Sequence, residues 1–199
     1  MLENDDATGL ARCLLTFFAD ADDPACARIT DAWPSEPYTI TPNLPSALPV
    51  LADLPVALAG VPAAFGDLAP ALQATADRLT WRQTYTADDM DEAFLDAYGW
   101  TIVAGPGGGV DSDDLIAAFL LLGPGIEYPT HRHSPEEIYR VVSGRASWKV
   151  GDAGWKPLGP GAVVHNPPWQ PHGMRTDLGE PLLAACLWRT GSLEKSRFA

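Results

Sequence analysis

Basic side chains are scarce in this sequence: 13 Lys and Arg stand against 26 Asp and Glu, a net charge of −13 over 199 residues. A phosphate backbone or an anionic membrane surface is held by clustered Lys and Arg, so neither nucleic acid nor membrane is expected as a partner. Cysteine is scarcer still. Cys13, Cys26 and Cys186 are odd in number and far apart, which suits reduced thiols rather than a disulfide framework. No apolar run reaches the ~20 residues of a membrane span. The opening "MLENDDATGLARCLLTFFADAD" has neither the basic region nor the small-residue cleavage site of a secretory signal, and the expected location is the cytoplasm. No internal repeat suggests a solenoid.

Apolar residues are plentiful, at 46% with seven tryptophans, enough to fill a core in a chain of this length. The first half has helical texture. Leu10, Cys13, Leu14, Phe17 and Phe18 recur at helical spacing and predict one buried stripe. From Trp33 to Pro62 the prolines are too frequent for a continuous helix, so this segment is expected to be an ordered connector or a loop over the other half, and a candidate lid. Helical spacing resumes with Leu68, Leu72, Ala76 and Leu79, and again in "TADDMDEAFLDAYGW", with Thr86 and the acids after it as the start and Gly99 as the stop. The second half changes character. "WTIVAG", "DLIAAFLLLG", "EIYRVVSG", "ASWKVG", "AVVHNPP" and "PLLAACLWRTG" are short β-prone runs between Gly, Pro and Asp turns, the pattern of a sandwich or barrel. The expected organisation is a helical N-terminal extension over residues 1–98 and a β-barrel carrying the site over residues 99–199.

Histidine is also rare, and its four copies, His131, His133, His165 and His172, all lie in the second half. A divalent metal needs three or four N and O ligands converging at about 2.0–2.2 Å, with one position open to substrate. On an extended edge His131 and His133 project to one face, and Glu137 follows after a turn around Pro135. In the strand "EEIYR", Glu137 and Tyr139 share a face while Glu136 and Ile138 point the other way. His172 is a candidate fourth ligand from a later hairpin. His165 is expected to be a structural strand histidine. "GPGGG" from Gly105 lacks the lysine and helix of a phosphate loop, so it is expected to be a turn.

These residues carry a resemblance. The stretch from Gly125 through His131, His133 and Glu137 to Gly144 resembles the first cupin motif at every spacing. Gly161, Pro167 and His172 resemble the second, with Trp169 where a glycine is usual and Thr176 where an asparagine is usual. The resemblance implies a mainly β fold, the cupin double-stranded β-helix, a jelly-roll-like barrel, carrying an α-helical N-terminal extension. More narrowly, "YPTHRHSPEEIYRVVSG", "LGPGAVVHNPPWQPHGMRT" and "ACLWR" resemble the cupin-type dimethylsulfoniopropionate lyases with a helical N-terminal extension.

That likeness implies one divalent transition metal, with Zn, Fe, Mn, Co and Ni all compatible with the donor set. It implies His133, Glu137 and His172 as ligands, Tyr139 as both metal contact and general base, and Tyr128, His131 and Trp188 lining the substrate pocket. The general cupin motif makes His131 a ligand instead, and both assignments stand at this point. The implied reaction is a β-elimination that gives dimethyl sulfide and acrylate from a small-molecule substrate whose carboxylate the metal binds. Aromatic faces suit the sulfonium end, and Tyr128, Trp148, Trp169 and Trp188 are candidates. A cupin dioxygenase or isomerase acting on another small carboxylate, and a non-catalytic small-ligand binder, are the alternatives, because one fold serves many functions. A monomer or homodimer is expected.

Overall fold

Two apolar clusters meet on opposite faces of one β-sheet, and that arrangement determines where the site lies. The structure is a computed structural model and describes residues 4–42, 44–189 and 197–198. Five α-helices precede or flank the first strands: α1 (Asn4–Ala19), α2 (Pro24–Thr30), α3 (Leu54–Ala59), α4 (Leu68–Thr75) and α5 (Glu92–Asp96). Local chemistry sets their ends. Asp23 accepts from the N–H groups of Ala25 and Cys26, with Pro24 opening α2, and Asp91 accepts from Phe94 N–H at the start of α5. Both satisfy donors that a helix start leaves free. The predicted stripe of α1 is buried at Leu10, Leu14, Phe17 and Phe18, while Cys13 is only partly buried.

The strands are β1 (Trp81–Arg82), β2 (Tyr98–Ala104), β3 (Leu115–Leu122), β4 (Glu127–Arg132), β5 (Glu136–Ser143), β6 (Ala146–Val150), β7 (Lys156–Leu158), β8 (Val163–Asn166), β9 (His172–Thr176), β10 (Leu182–Arg189) and β11 (Arg197–Phe198). They form a six-stranded sheet in the order β1-β2-β3-β10-β5-β8 and a five-stranded sheet in the order β11-β4-β9-β6-β7. All ladders are antiparallel. From β3 onward the chain crosses from one sheet to the other at every connection except the β6–β7 hairpin, a jelly-roll path. Among the described residues no ladder joins the two sheets, so the expected barrel is two facing sheets rather than a closed cylinder.

The six-stranded sheet is buried on both faces, which explains "LIAAFLLL" and "LLAACLW" as unbroken apolar runs. Leu115, Ala117, Phe119 and Leu121 of β3, with Leu183, Ala185 and Leu187 of β10, pack with α1, α2, α3 and α4. The alternate residues Ala118, Leu120, Leu122, Leu182, Ala184 and Cys186 face the interior shared with the second sheet. The proline-rich segment packs on the outer side, through Tyr38, Ile40, Leu48 and Val50. Its backbone bonds the "GPGGG" turn, from Thr41 N–H to Gly109 O at 3.0 Å and from Asp111 N–H to Thr39 O at 2.8 Å.

Three local expectations differ from the structure. Helix α4 stops at Thr75, passes through a short 3₁₀ turn, and Leu79 is extended; the indole of Trp81 donates to Ala76 O at 3.1 Å, taking a carbonyl that a longer helix would use. Thr86 caps a turn through Asp89, and the helix itself begins only at Glu92. Gly99 lies inside β2, where a Cβ would meet Leu48 Cδ1 at 2.9 Å and Val50 Cγ1 at 3.0 Å, so it serves close packing rather than a helix stop. Gly144 closes the β5–β6 turn at φ +77, and a Cβ there would sit 2.1 Å from Pro181 O.

Candidate metal centre

Strand β5 alternates as its sequence predicts. Ile138 and Val142 face the helical layer, while Tyr139 and Val141 face the interior on the same side as Glu137. Glu136, on the outer face, pairs with Arg28 of α2 and lies 2.8 Å from His165 Nε2. These two residues therefore link the extension to the sheet and stand apart from the site.

The opposite wall comes from β4 and β9. Tyr128 pairs with Met174 and His131 with His172, so three steps on β4 match two on β9. This bulge lets Tyr128 and His131 both face inward, although three-residue spacing on a regular strand would separate them. Their rings stack at 4.4 Å with an interplanar angle of 15°. The β8–β9 loop is tied to the same edge, since Trp169 N–H donates to His133 O at 2.8 Å. Trp169 holds φ +62 at the position where the motif has glycine, a conformation that costs a non-glycine residue about 1–2 kcal/mol. Thr176, standing where asparagine is usual, accepts from Ile126 N–H and donates to Gly123 O, both at 2.8 Å, and so holds β9 to the β3–β4 turn.

His131, His133 and His172 are all buried and offer ligand atoms within 4.8 Å of one another. In each ring Nδ1 lies against a backbone carbonyl: Pro129 O at 2.9 Å, Pro135 O at 3.1 Å and Gln170 O at 2.8 Å. A carbonyl only accepts, so each Nδ1 carries a proton, and in the neutral ring each Nε2 keeps its lone pair. Glu137 Oε2 lies 3.3 Å from His133 Nε2 and 3.0 Å from His172 Nε2, and the latter nitrogen has no hydrogen-bond partner among the described residues. Glu137 is wholly buried. Its Oε1 accepts from Trp188 Nε1–H and from the Cys186 thiol at 3.3 Å, and its Oε2 accepts from Asn166 Nδ2 at 3.0 Å.

Electrostatics follow from this crowding. Burial drives His131 down to about 3 from an ordinary 6.5, so the ring is neutral. Burial also acts against a charged His133, but the Glu137 carboxylate more than offsets it and the net direction is upward. Burial would raise Glu137, yet His133 and His172 hold it well below the usual carboxylate range. Burial, and then the Glu137 charge, push the Tyr139 phenol well above 10. Three nitrogen lone pairs and a carboxylate converging in a buried place form a donor set that fits a divalent transition metal.

A cavity of about 50 Å³ adjoins this cluster, room for a small ligand when one water needs ~10–15 Å³ by the same measure. Tyr128, His131, Glu137, Tyr139, Cys186 and Trp188 line one part of it, and Thr84, Tyr98, Trp100 and the β3 segment Ile116, Ala118, Phe119 and Leu120 line the rest. Trp148 and Trp169 are not in the lining, and neither is any described residue of the proline-rich segment. Sequence reading missed Thr84, Tyr98 and Trp100; the β2–β3 register that sets Tyr98 opposite Leu122 carries the two aromatics to the cavity, and Thr84 accepts from the Tyr98 hydroxyl at 3.2 Å.

Facing antiparallel sheets on a jelly-roll path, with a buried histidine cluster between them, define a cupin. The cupin-2 domain Rru_A2000 of Rhodospirillum rubrum matches with a TM-score of 0.50 at 18% identity, over 61% of this chain and 75% of that one. Within that fold, the chain belongs to the dimethylsulfoniopropionate lyase family, whose model matches residues 29–184. It is similar to the dimethylsulfoniopropionate lyase DddQ of Ruegeria pomeroyi, with 37% identity over 114 residues, 57% of this chain and 56% of the relative. The aligned stretch thus spans little more than half of that curated relative. The crystal structure of DddQ from Ruegeria pomeroyi matches with a TM-score of 0.79 at 28% identity, over 96% of each chain. A chain from the crystal structures of the lyases RdDddP and RnDddQII matches with a TM-score of 0.85 at 31% identity, over 98% of this chain and 97% of that one. Among the described residues no helix is long and apolar enough to cross a membrane.

Proposed function

We propose that this chain is a metal-dependent lyase that cleaves dimethylsulfoniopropionate by β-elimination to dimethyl sulfide and acrylate. The observation that carries the reading is the inward face of β5, where Glu137 beside the histidine cluster and the buried Tyr139 share one cavity. His133, Glu137 and His172 would hold the metal, and His131 and Tyr139 are the candidates to complete its shell. Bound there, a divalent cation supplies a site for the substrate carboxylate and favours the ionised form of a nearby phenol.

The rest is done by side chains. Tyr139 takes the proton from the carbon beside the carboxylate, as the bond to sulfur breaks and its electrons leave with dimethyl sulfide. With burial and Glu137 both favouring the neutral phenol, Tyr139 is a base only when positive charge is added nearby, which makes metal dependence a property of the base itself. The rings of Tyr128, Trp188, Tyr98 and Trp100 in the cavity wall offer faces to a sulfonium, at ~0.5–2 kcal/mol each. Apolar Ile116, Ala118 and Leu120 keep competing water out. Trapping dimethyl sulfide from metal-loaded protein by gas chromatography tests the proposal, and no product above a Tyr139→Phe control would refute it.

The place of His131 within the cluster supports a second reading, a cupin dioxygenase or isomerase using three histidines and Glu137. Oxygen uptake that depends on Fe(II) and a small carboxylate, without dimethyl sulfide, would favour it.

A further inference from the structure

Asn166 is an unlikely residue for the middle of a core. It ends β8 directly opposite Glu137, is 1% exposed, and its Oδ1 has no hydrogen-bond partner among the described residues. A buried acceptor left unsatisfied counts against the fold, whereas Val164, two positions earlier on the same strand, is an ordinary apolar interior residue. Among the described residues its side chain makes one bond, Nδ2–H to Glu137 Oε2 at 3.0 Å. Its orientation is forced, because turning Oδ1 toward the carboxylate would set two acceptors against each other.

Oε2 is also the oxygen that faces His133 Nε2 and His172 Nε2. Oε1 is occupied from the other side by Trp188 Nε1–H and the Cys186 thiol. The carboxylate is therefore held at both oxygens, by β8 on one side and β10 on the other. Without Asn166 the carboxylate would keep its two donors on Oε1, while Oε2 would face only the two histidine nitrogens.

We infer that Asn166 is a positioning residue that fixes Oε2 of Glu137 toward the histidine cluster and so presets a single carboxylate oxygen for the metal. The inference rests on the metal-site reading above but not on the lyase reaction. Partners of a ligand's outer contacts tune metal affinity by ~10–100-fold, and that effect should pass through Glu137 alone.

A double-mutant cycle read by Co(II) binding tests this without substrate. Co(II) affinity is measured by chelator competition for the unaltered protein, Asn166→Leu, Glu137→Ala and the double variant, with Co(II) absorption reporting the coordination. The expected result is about 10–100-fold weaker binding for Asn166→Leu and no further loss when the same change is added to Glu137→Ala. Equal losses in both backgrounds, or no loss in either, would overturn the positioning role. If Asn166→Leu fails to fold, Asn166→Ser, which keeps a shorter donor, is carried through the same cycle with the same criteria. Failure of the unaltered protein to bind Co(II) would instead overturn the metal site itself, and the inference with it.

Discussion

His131 should make the metal-free protein acid-sensitive, and by a calculable amount. Burial lowers its pKa from 6.5 to about 3, so across that window the unfolded chain accepts a proton that the folded ring refuses. A group of this kind costs the native state nothing above its unfolded pKa and costs progressively more as pH falls toward the folded value. At ~1.4 kcal/mol per pH unit the full cost is roughly 4–5 kcal/mol near pH 3, and about 3 kcal/mol is already present near pH 4.5.

Urea unfolding of chelator-treated protein, at intervals from about pH 7 to pH 4.5, measures it against His131→Asn, which cannot titrate. Because His133 and Glu137 titrate in both proteins, the difference between the two curves isolates His131. The unaltered protein should lose about 3 kcal/mol more than the variant over that range. Parallel curves would mean that His131 takes up its proton as readily in the folded protein as in the unfolded chain, and would refute the burial argument.

Other substitutions separate neighbours that the sequence alone cannot. Glu137→Gln should weaken metal binding sharply, while Glu136→Gln, which loses only the outer-face contacts with Arg28 and His165, should keep binding and lose at most about 1 kcal/mol of stability; isothermal titration and thermal melts read the two effects. Ala118→Leu, in the cavity wall, should raise KM or abolish turnover with metal binding retained, at a stability cost of about 1–3 kcal/mol for overpacking. Gly144→Ala should lose about 2–4 kcal/mol in urea, combining a disfavoured left-handed backbone with displacement of the Pro181 carbonyl.

The legible part of this protein was what local period and turn chemistry control. Glycines at 125, 144 and 161 all take positive φ, and the two-residue alternation of β5 put Glu137 and Tyr139 on the inner face. Trp169 in the left-handed region shows that the second motif keeps its turn geometry even without its glycine. What stayed hidden depends on distant pairing. Nothing local in Tyr98 and Trp100 indicates that β2 register carries them into the cavity while Trp148 stays out of its lining. Asn166 stands in the β-prone run "AVVHNPP" with nothing to single it out, and its role is visible only once β8 lies against Glu137. The bulge that turns both Tyr128 and His131 inward likewise belongs to a pair of strands and not to either sequence.

The most direct test of the account combines two readings on one sample: bound metal by elemental analysis and dimethyl sulfide released from dimethylsulfoniopropionate. The account predicts about one metal per chain and product that disappears with chelator and returns on adding back divalent metal, with Tyr139→Phe retaining metal but losing turnover by at least ~10²-fold. Dimethyl sulfide formed at an undiminished rate by the metal-free protein, or by Tyr139→Phe, would contradict it.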